Sequence, residues 1–317
     1  MFSSSWLEPN TLNELKFILD RPQPNAMESI MKKSVVNILL SLCMGFCPVA
    51  SSFAADVPPP DAQHVPEWMS LRTLMFGDRP IHTGDSSQVA IHVNKNIDDA
   101  STVPIEIESR SQQTRENFIK KLYLIVDQNP IPTAVALDLS PSNGKLHFST
   151  RLRIEKFTYV RAIGETSNGD LHMASAWVEV AGGCSAPGGK NTGIDPYLGK
   201  MKFKMANYRN TFKGDNGERF YRVQMDKPNV VKVQVRHPNE SALAADMDAD
   251  RKPNFIEELD ITYNDKRLIA GKINFSISDN PTFKFHFSPY DEGQLVVSVK
   301  DTHDNTFTQH VNVLGRK

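Results

Sequence analysis

The chain has 317 residues, 39% of them hydrophobic and 23% charged, and a formal net charge of −1. That balance argues against a nucleic-acid or acidic-membrane partner. The length allows two domains with cores of useful size.

The first 54 residues read as an N-terminal extension followed by a signal peptide. Met31-Lys32-Lys33 is a basic start, residues 35–49 are mostly apolar, and Ser52-Phe53-Ala54 offers small residues for cleavage after Ala54. Residues 1–30 fit the signal badly, which leaves Met27 or Met31 as alternative initiators. An uncleaved membrane anchor is the competing reading of a stretch this short. Cleavage would remove Cys43 and Cys47, leaving Cys184 as the exported chain's single cysteine. A lone cysteine in an exported protein points to a reactive thiol or to intermolecular pairing, such as a disulfide-linked dimer.

Residues 55–180 form the first structural block. Proline-rich residues 57–66 read as an extended lead-in. Trp68, Met69, Leu71, Leu74, Met75 and Phe76 then come close to helical spacing, so a short amphipathic helix is expected over 66–76, covering a sheet edge or a domain end. From Gln88 the period becomes two, and about seven short strands follow, separated by turn signals such as Ser142-Asn143-Gly144 and Asn168-Gly169-Asp170. The pattern restarts over residues 200–317, where Val231, Val233 and Val235 alternate with polar residues, as do Phe283, Phe285 and Phe287. Asn264-Asp265 is the expected hairpin turn there. The fold class is therefore all-β: two immunoglobulin-like β-sandwich domains.

Between them, residues 181–199 form a glycine-rich arm. Gly182-Gly183-Cys184-Ser185-Ala186-Pro187-Gly188-Gly189 puts the cysteine in a segment that opposes regular structure, because Gly182, Gly183, Gly188 and Gly189 lack a Cβ and Pro187 lacks a donor. A thiol so placed suits a carrier, whose partner enzymes supply the rigid chemistry. An inter-domain linker with an incidental cysteine is the plainer reading.

No other chemistry competes. Asp246, Asp248, Asp250 and Glu257 partly imitate a calcium loop, but Arg251 stands where glycine is needed and Pro253 breaks the pattern. The histidines lack metal-type spacing, and His92, His147, His286 and His310 sit on alternating strands where a solvent-facing position is expected. No serine elbow, phosphate loop or dinucleotide fingerprint is present. Neither catalytic residues, a metal site nor a cofactor is expected.

Two sets of motifs carry a family resemblance. Met75-Phe76-Gly77-Asp78-Arg79-Pro80, Val103-Pro104-Ile105, Ser149-Thr150-Arg151-Leu152-Arg153, Ala174-Ser175-Ala176 and Val180-Ala181-Gly182-Gly183-Cys184 resemble SoxY, the cysteine-bearing subunit of the sulfur-oxidation carrier. Arg236-His237-Pro238, Pro253-Asn254-Phe255-Ile256, Thr262-Tyr263-Asn264, Asp279-Asn280-Pro281 and Val299-Lys300-Asp301 resemble its partner SoxZ. The chain thus resembles a fused SoxYZ-like carrier of the group associated with quinoprotein dehydrogenases. The resemblance implies a periplasmic location, a SoxY-like and a SoxZ-like domain in contact, and a swinging arm on which Cys184 carries sulfur intermediates. It also implies sulfur-oxidation or other redox enzymes as partners. In the family the arm is terminal and reads Gly-Gly-Cys-Gly-Gly; here it is internal and continues Ser185-Ala186-Pro187. The second reading is a non-catalytic accessory module for a periplasmic quinoprotein dehydrogenase.

Overall fold

The computed structural model describes residues 59–180, 195–205, 211–214, 218–240 and 252–315. The signal segment, Cys184 with its four glycines, and the aspartates of the calcium-like loop all lie outside the described residues.

The expected helix is present as α1 (Pro66–Phe76), with a proline in its first turn and Gly77 at its end in a left-handed conformation at φ 59°. The first half then supplies β1 (Ile81–His82), β2 (Val89–His92), β3 (Asn96–Ile97), β4 (Val103–Ser109) and β5 (Ile119–Val126). It continues with β6 (Thr133–Leu139), β7 (His147–Leu152), β8 (Thr158–Thr166) and β9 (Leu171–Val180). The second half supplies β10 (Met201–Met205), β11 (Thr211–Lys213), β12 (Arg219–Val223), β13 (Asn229–Val235) and β14 (Ile256–Tyr263). Beyond these come β15 (Lys266–Ile273), β16 (Thr282–Phe287), β17 (Gly293–Asp301) and β18 (Thr306–Gly315). Asn264 and Asp265 both have positive φ, 47° and 62°, as a type I′ turn between β14 and β15 requires.

The strands form two stacked sheets, and each sheet runs unbroken through both halves. The larger has the order β1-β9-β8-β5-β6-β15-β14-β17-β18-β12-β11, with β3 also on β9; the smaller has β10-β13-β16-β7-β4-β2. The halves therefore meet edge to edge twice. β6 pairs β15, Val135 opposite Ile273 through Leu139 opposite Ile269. β7 pairs β16, Ser149 opposite Lys284 and Phe148 opposite Phe285. Two immunoglobulin-like sandwiches were expected and are found, but joined into one continuous pair of sheets. Edge strands carry unpaired N–H and C=O groups, and each half covers the other's.

One apolar core runs between the sheets across this seam. Phe148 and Phe283 stack there at 6.4 Å, and Phe283, Phe285 and Phe287 are buried on the inward face of β16. Each such side chain contributes roughly 1.5–3 kcal/mol of burial. A second, smaller cluster lies outside the large sheet, where Trp68, Leu71 and Phe76 of α1 cover Ile125, Tyr159, Ile163, Leu171 and Met173. Beneath the helix, the buried Arg161 guanidinium sits 4.6 Å from the Trp68 ring. Its Nε donates to Asp127 Oδ1 at 2.8 Å and its Nη2 to Oδ2 at 2.5 Å.

Candidate functional site, the end plate beneath the cysteine arm

The arm begins after β9 and ends before β10, and both flanks are fixed by specific contacts. On the near side, β3 pairs β9 in parallel, setting Ile97 opposite Val180. Glu179 N donates to Lys95 O at 2.9 Å, and Trp177 Nε1 donates to Glu179 Oε1 at 2.9 Å. On the far side, Asp195 organises a tight turn. Its Oδ1 accepts from Tyr197 N at 2.9 Å and its Oδ2 from Arg236 Nε at 2.7 Å. The Tyr197 N–H and the Arg236 guanidinium hold the Asp195 carboxyl below the usual carboxylate range. Gly199 then adopts φ 77° with Phe307 so close that an added Cβ would lie 1.8 Å from its ring. Any other residue would have to displace that ring and adopt a strained positive φ.

A chain of contacts shows that both flanks leave the same end of the sandwich. From β3 the chain turns through Ala100, whose carbonyl accepts from Ile154 N at 2.9 Å, and Ser101, whose carbonyl accepts from Ser278 Oγ at 2.7 Å. Ser278 N donates to Arg151 O at 3.0 Å, Asn280 N to His237 O at 2.8 Å, and Gly199 N to Arg236 O at 2.8 Å. Cys184 is four residues beyond Val180 and eleven before Asp195. At ~3.5 Å per extended residue, a four-residue separation keeps Cys184 within on the order of 14 Å of Val180.

Two arginines of the first half clamp the second half at the same end. Arg151 Nη2 donates to the carbonyls of Asp279 and Asn280, both at 3.2 Å. Arg153 Nη1 reaches the carbonyls of Asn239 at 2.5 Å, Phe275 at 2.9 Å and Ile277 at 3.1 Å. Asn239 in turn accepts from Ile256 N through Oδ1 at 2.8 Å. His237 is fully buried, its Nδ1 accepting from Asn239 N at 3.0 Å and its Nε2 facing Asp301 Oδ2 at 3.5 Å. Burial lowers the His237 pKa and keeps the ring neutral. Burial opposes ionisation of Asp301 as well. Hydrogen bonds from Asn305, His303 and His237 outweigh it and hold the carboxyl low. With both side chains sealed from solvent, this pair braces the plate and has no substrate access.

Sequence motifs far apart in the chain thus converge. Ser149–Arg153 meets Asp279-Asn280-Pro281, His237 meets Asp301, and Asn239 meets Ile256. The family motifs include Arg151, Arg153, His237 and Asp301, but the clamps and the His237–Asp301 pair were not foreseen, since a charged residue on an alternating strand gives no sign of where its far end lands. The histidine expectation holds for His92, which is exposed and faces Glu108 at 3.1 Å. It needs correction at His147: its side chain is only 11% exposed, stacked on His286 of the other half at 4.5 Å. The two rings meet because Ser149 opposes Lys284, which places residues 147 and 286 opposite one another across the seam. Among the described residues, no group of three or more histidine, cysteine, aspartate or glutamate side chains is placed to hold a metal.

A family model described as sulfur oxidation protein SoxY matches residues 72–184, and one described as sulphur oxidation protein SoxZ matches residues 220–312. No curated protein matches the chain. Among solved structures, the sulfur carrier protein SoxY from Chlorobium limicola f thiosulfatophilum is 18% identical, with a TM-score of 0.30, covering 36% of this chain and 96% of that one. A superoxide reductase (neelaredoxin) from Ignicoccus hospitalis is 14% identical, with a TM-score of 0.28, over 32% and 95% of the two chains. Fibronectin(III)-like modules of CbhA from Clostridium thermocellum are 9% identical, with a TM-score of 0.22, over 72% and 94%. A SoxY domain that runs up to Cys184, followed in the same chain by a SoxZ domain braced against it, makes this protein a fused SoxYZ-like carrier of sulfur oxidation.

Proposed function

We propose that the protein is exported to the periplasm and holds a sulfur intermediate covalently on Cys184 while partner enzymes act on it. The observation that carries this is positional: the SoxY match ends on Cys184, and both flanks of the arm are pinned to one rigid end of the molecule. The plate supplies anchorage, and the described residues there hold no base facing solvent with an orienting partner behind it. In this reading the partners supply the chemistry and the plate holds the arm.

Loading couples the Cys184 thiolate to a sulfur anion. One S–S bond forms and two electrons leave, so the loading partner is a redox enzyme that accepts them. Unloading exchanges the Cys184 S–S bond with an acceptor thiolate on a partner, which takes up the carried group as the Cys184 thiolate leaves, with no net movement of electrons. The internal arm limits delivery to sites within on the order of 14 Å of the end plate.

Replacing Cys184 with serine in the producing organism tests this. Sulfur-dependent respiration is expected to stop while the protein accumulates to its normal level. Normal respiration, with the variant copurifying with a quinoprotein dehydrogenase, would instead make the protein an accessory module.

A further inference from the structure

The outward face of the smaller sheet carries a groove of about 620 Å³ that spans β2, β4, β7, β16 and β13. Neighbouring strands lie ~4.8 Å apart, so the groove is roughly 19 Å wide. Its lining holds three permanent cations, Arg151, Lys232 and Lys284, against a single carboxylate, Glu106. Glu106 is already engaged, 3.6 Å from Lys284 Nζ and 3.0 Å from His147 Nε2.

Strand register sharpens this charge. Lys204 of β10 lies directly opposite Lys232 of β13, and Lys232 directly opposite Lys284 of β16. Three lysines thus form a row across adjacent strands, and like charges placed so destabilise a sheet. Exposed Lys202 extends the patch one pleat closer to the arm. Lys232 has no ion-pair partner among the described residues. Arg151 Nε is buried and finds no acceptor there either. Lys232, exposed at the centre of that row, has a lysine on each side.

We propose that this groove docks an acidic segment of a partner protein. A single small oxyanion would neutralise one or two of the cations and leave most of the width empty. An acidic segment matches both the spread of the charge and the length of the groove. The groove's outer row, Gln234, Thr282 and Arg151, borders the end plate, where Lys202 of β10 lies beside Gln234 and Arg151 holds Asp279 and Asn280. A partner seated there lies beside the roots of the arm. The groove draws its residues from both halves, so it exists only in the joined molecule. Its existence rests on geometry alone; its use during sulfur transfer rests on the carrier reading above.

The test uses the full mature chain, isotopically labelled for NMR, titrated with the peptide (Asp-Ser)4 and with (Lys-Ser)4 as control. The acidic peptide is expected to shift resonances on β13, β16 and β7 selectively, with binding falling as ionic strength rises. The Lys202→Glu/Lys232→Glu variant should bind about tenfold more weakly. Because it relieves the lysine row, it should melt no lower than the wild type. Cys184→Ser should bind the peptide normally, which separates failure of the groove from failure of the carrier reading. Peptide shifts spread over the whole surface, or an affinity unchanged by the double substitution, would overturn the proposal. So would saturation of the same residues by inorganic sulfate that abolishes any preference for the peptide, or an equal preference for anionic phospholipid vesicles.

Discussion

Gly271 sits where the two halves meet, opposite Leu137 across the β6–β15 seam. A Cβ added there would lie 2.0 Å from the Ala136 carbonyl oxygen and 2.9 Å from Leu137 Cα, against an ordinary contact of at least 3.4 Å. Both obstructing atoms are backbone, so no side-chain rotation relieves the clash in Gly271→Ala. The strands must part locally by the difference, 3.4 − 2.0, or about 1.4 Å. That costs the nearest two seam hydrogen bonds, each about 1 kcal/mol net. Repacking against the shifted core adds about 1–3 kcal/mol. The total is about 3–5 kcal/mol, and at roughly 2–4 °C per kcal/mol for a unit of this size Tm should fall by about 10 °C. Differential scanning calorimetry reads this directly. Lys272→Ala, the neighbouring position, is the control. It removes only the surface pair with Glu258, which contributes at most about 1 kcal/mol. If Gly271→Ala melted within 2 °C of wild type, the backbone approach at the seam would be wrong, and with it the claim that one sheet runs through both halves.

Further outcomes follow from the buried polar groups. Asp127→Asn strips the sealed Arg161 of its counter-charge and should cost about 3–5 kcal/mol, seen as a lower urea midpoint with an unchanged m-value. His286 should make stability depend on acidity. Burial first, and then the charges of His147, Lys145 and Lys284, lower its pKa from 6.5 to about 4. Between those values the unfolded chain binds more protons than the native one, so stability falls as pH drops from about 6.5 towards 4. His286→Gln should flatten that part of the urea-midpoint profile; an unchanged slope would assign the acid sensitivity elsewhere.

The sequence carried the strands but not their neighbours. Period-two alternation at Val231, Val233 and Val235, or at Phe283, Phe285 and Phe287, tells which face is buried and is silent on which edge pairs with which. The seam between β6 and β15 was therefore invisible, although Gly271 was a trace of it. A glycine inside a strand marks a close approach of another backbone. The turn at Asn264-Asp265 was legible because only a few residue types tolerate two successive positive φ values. The helix over 66–76 was legible from its spacing, but the Arg161–Asp127 pair beneath it was not, since alternation gives no reason to expect a charge facing inward. At the candidate site, Cys184 stood out by its glycines. The plate that anchors its arm is built from residues at 95–101, 149–153, 195–199, 236–239, 275–280 and 301. Folding alone brings those together, so only the motif resemblance hinted that they belong to one place.

The most direct measurement is the intact mass of the protein purified from its native compartment during sulfur-dependent growth, without reductant and then after reduction, with the site of any added mass located by peptide mapping. The carrier account expects reducible added mass, in multiples of sulfur or as a sulfonate-bearing group, confined to the peptide that contains Cys184 and absent from the Cys184→Ser protein, which should fold and melt as the wild type does. An unmodified Cys184 thiol throughout active growth would contradict it.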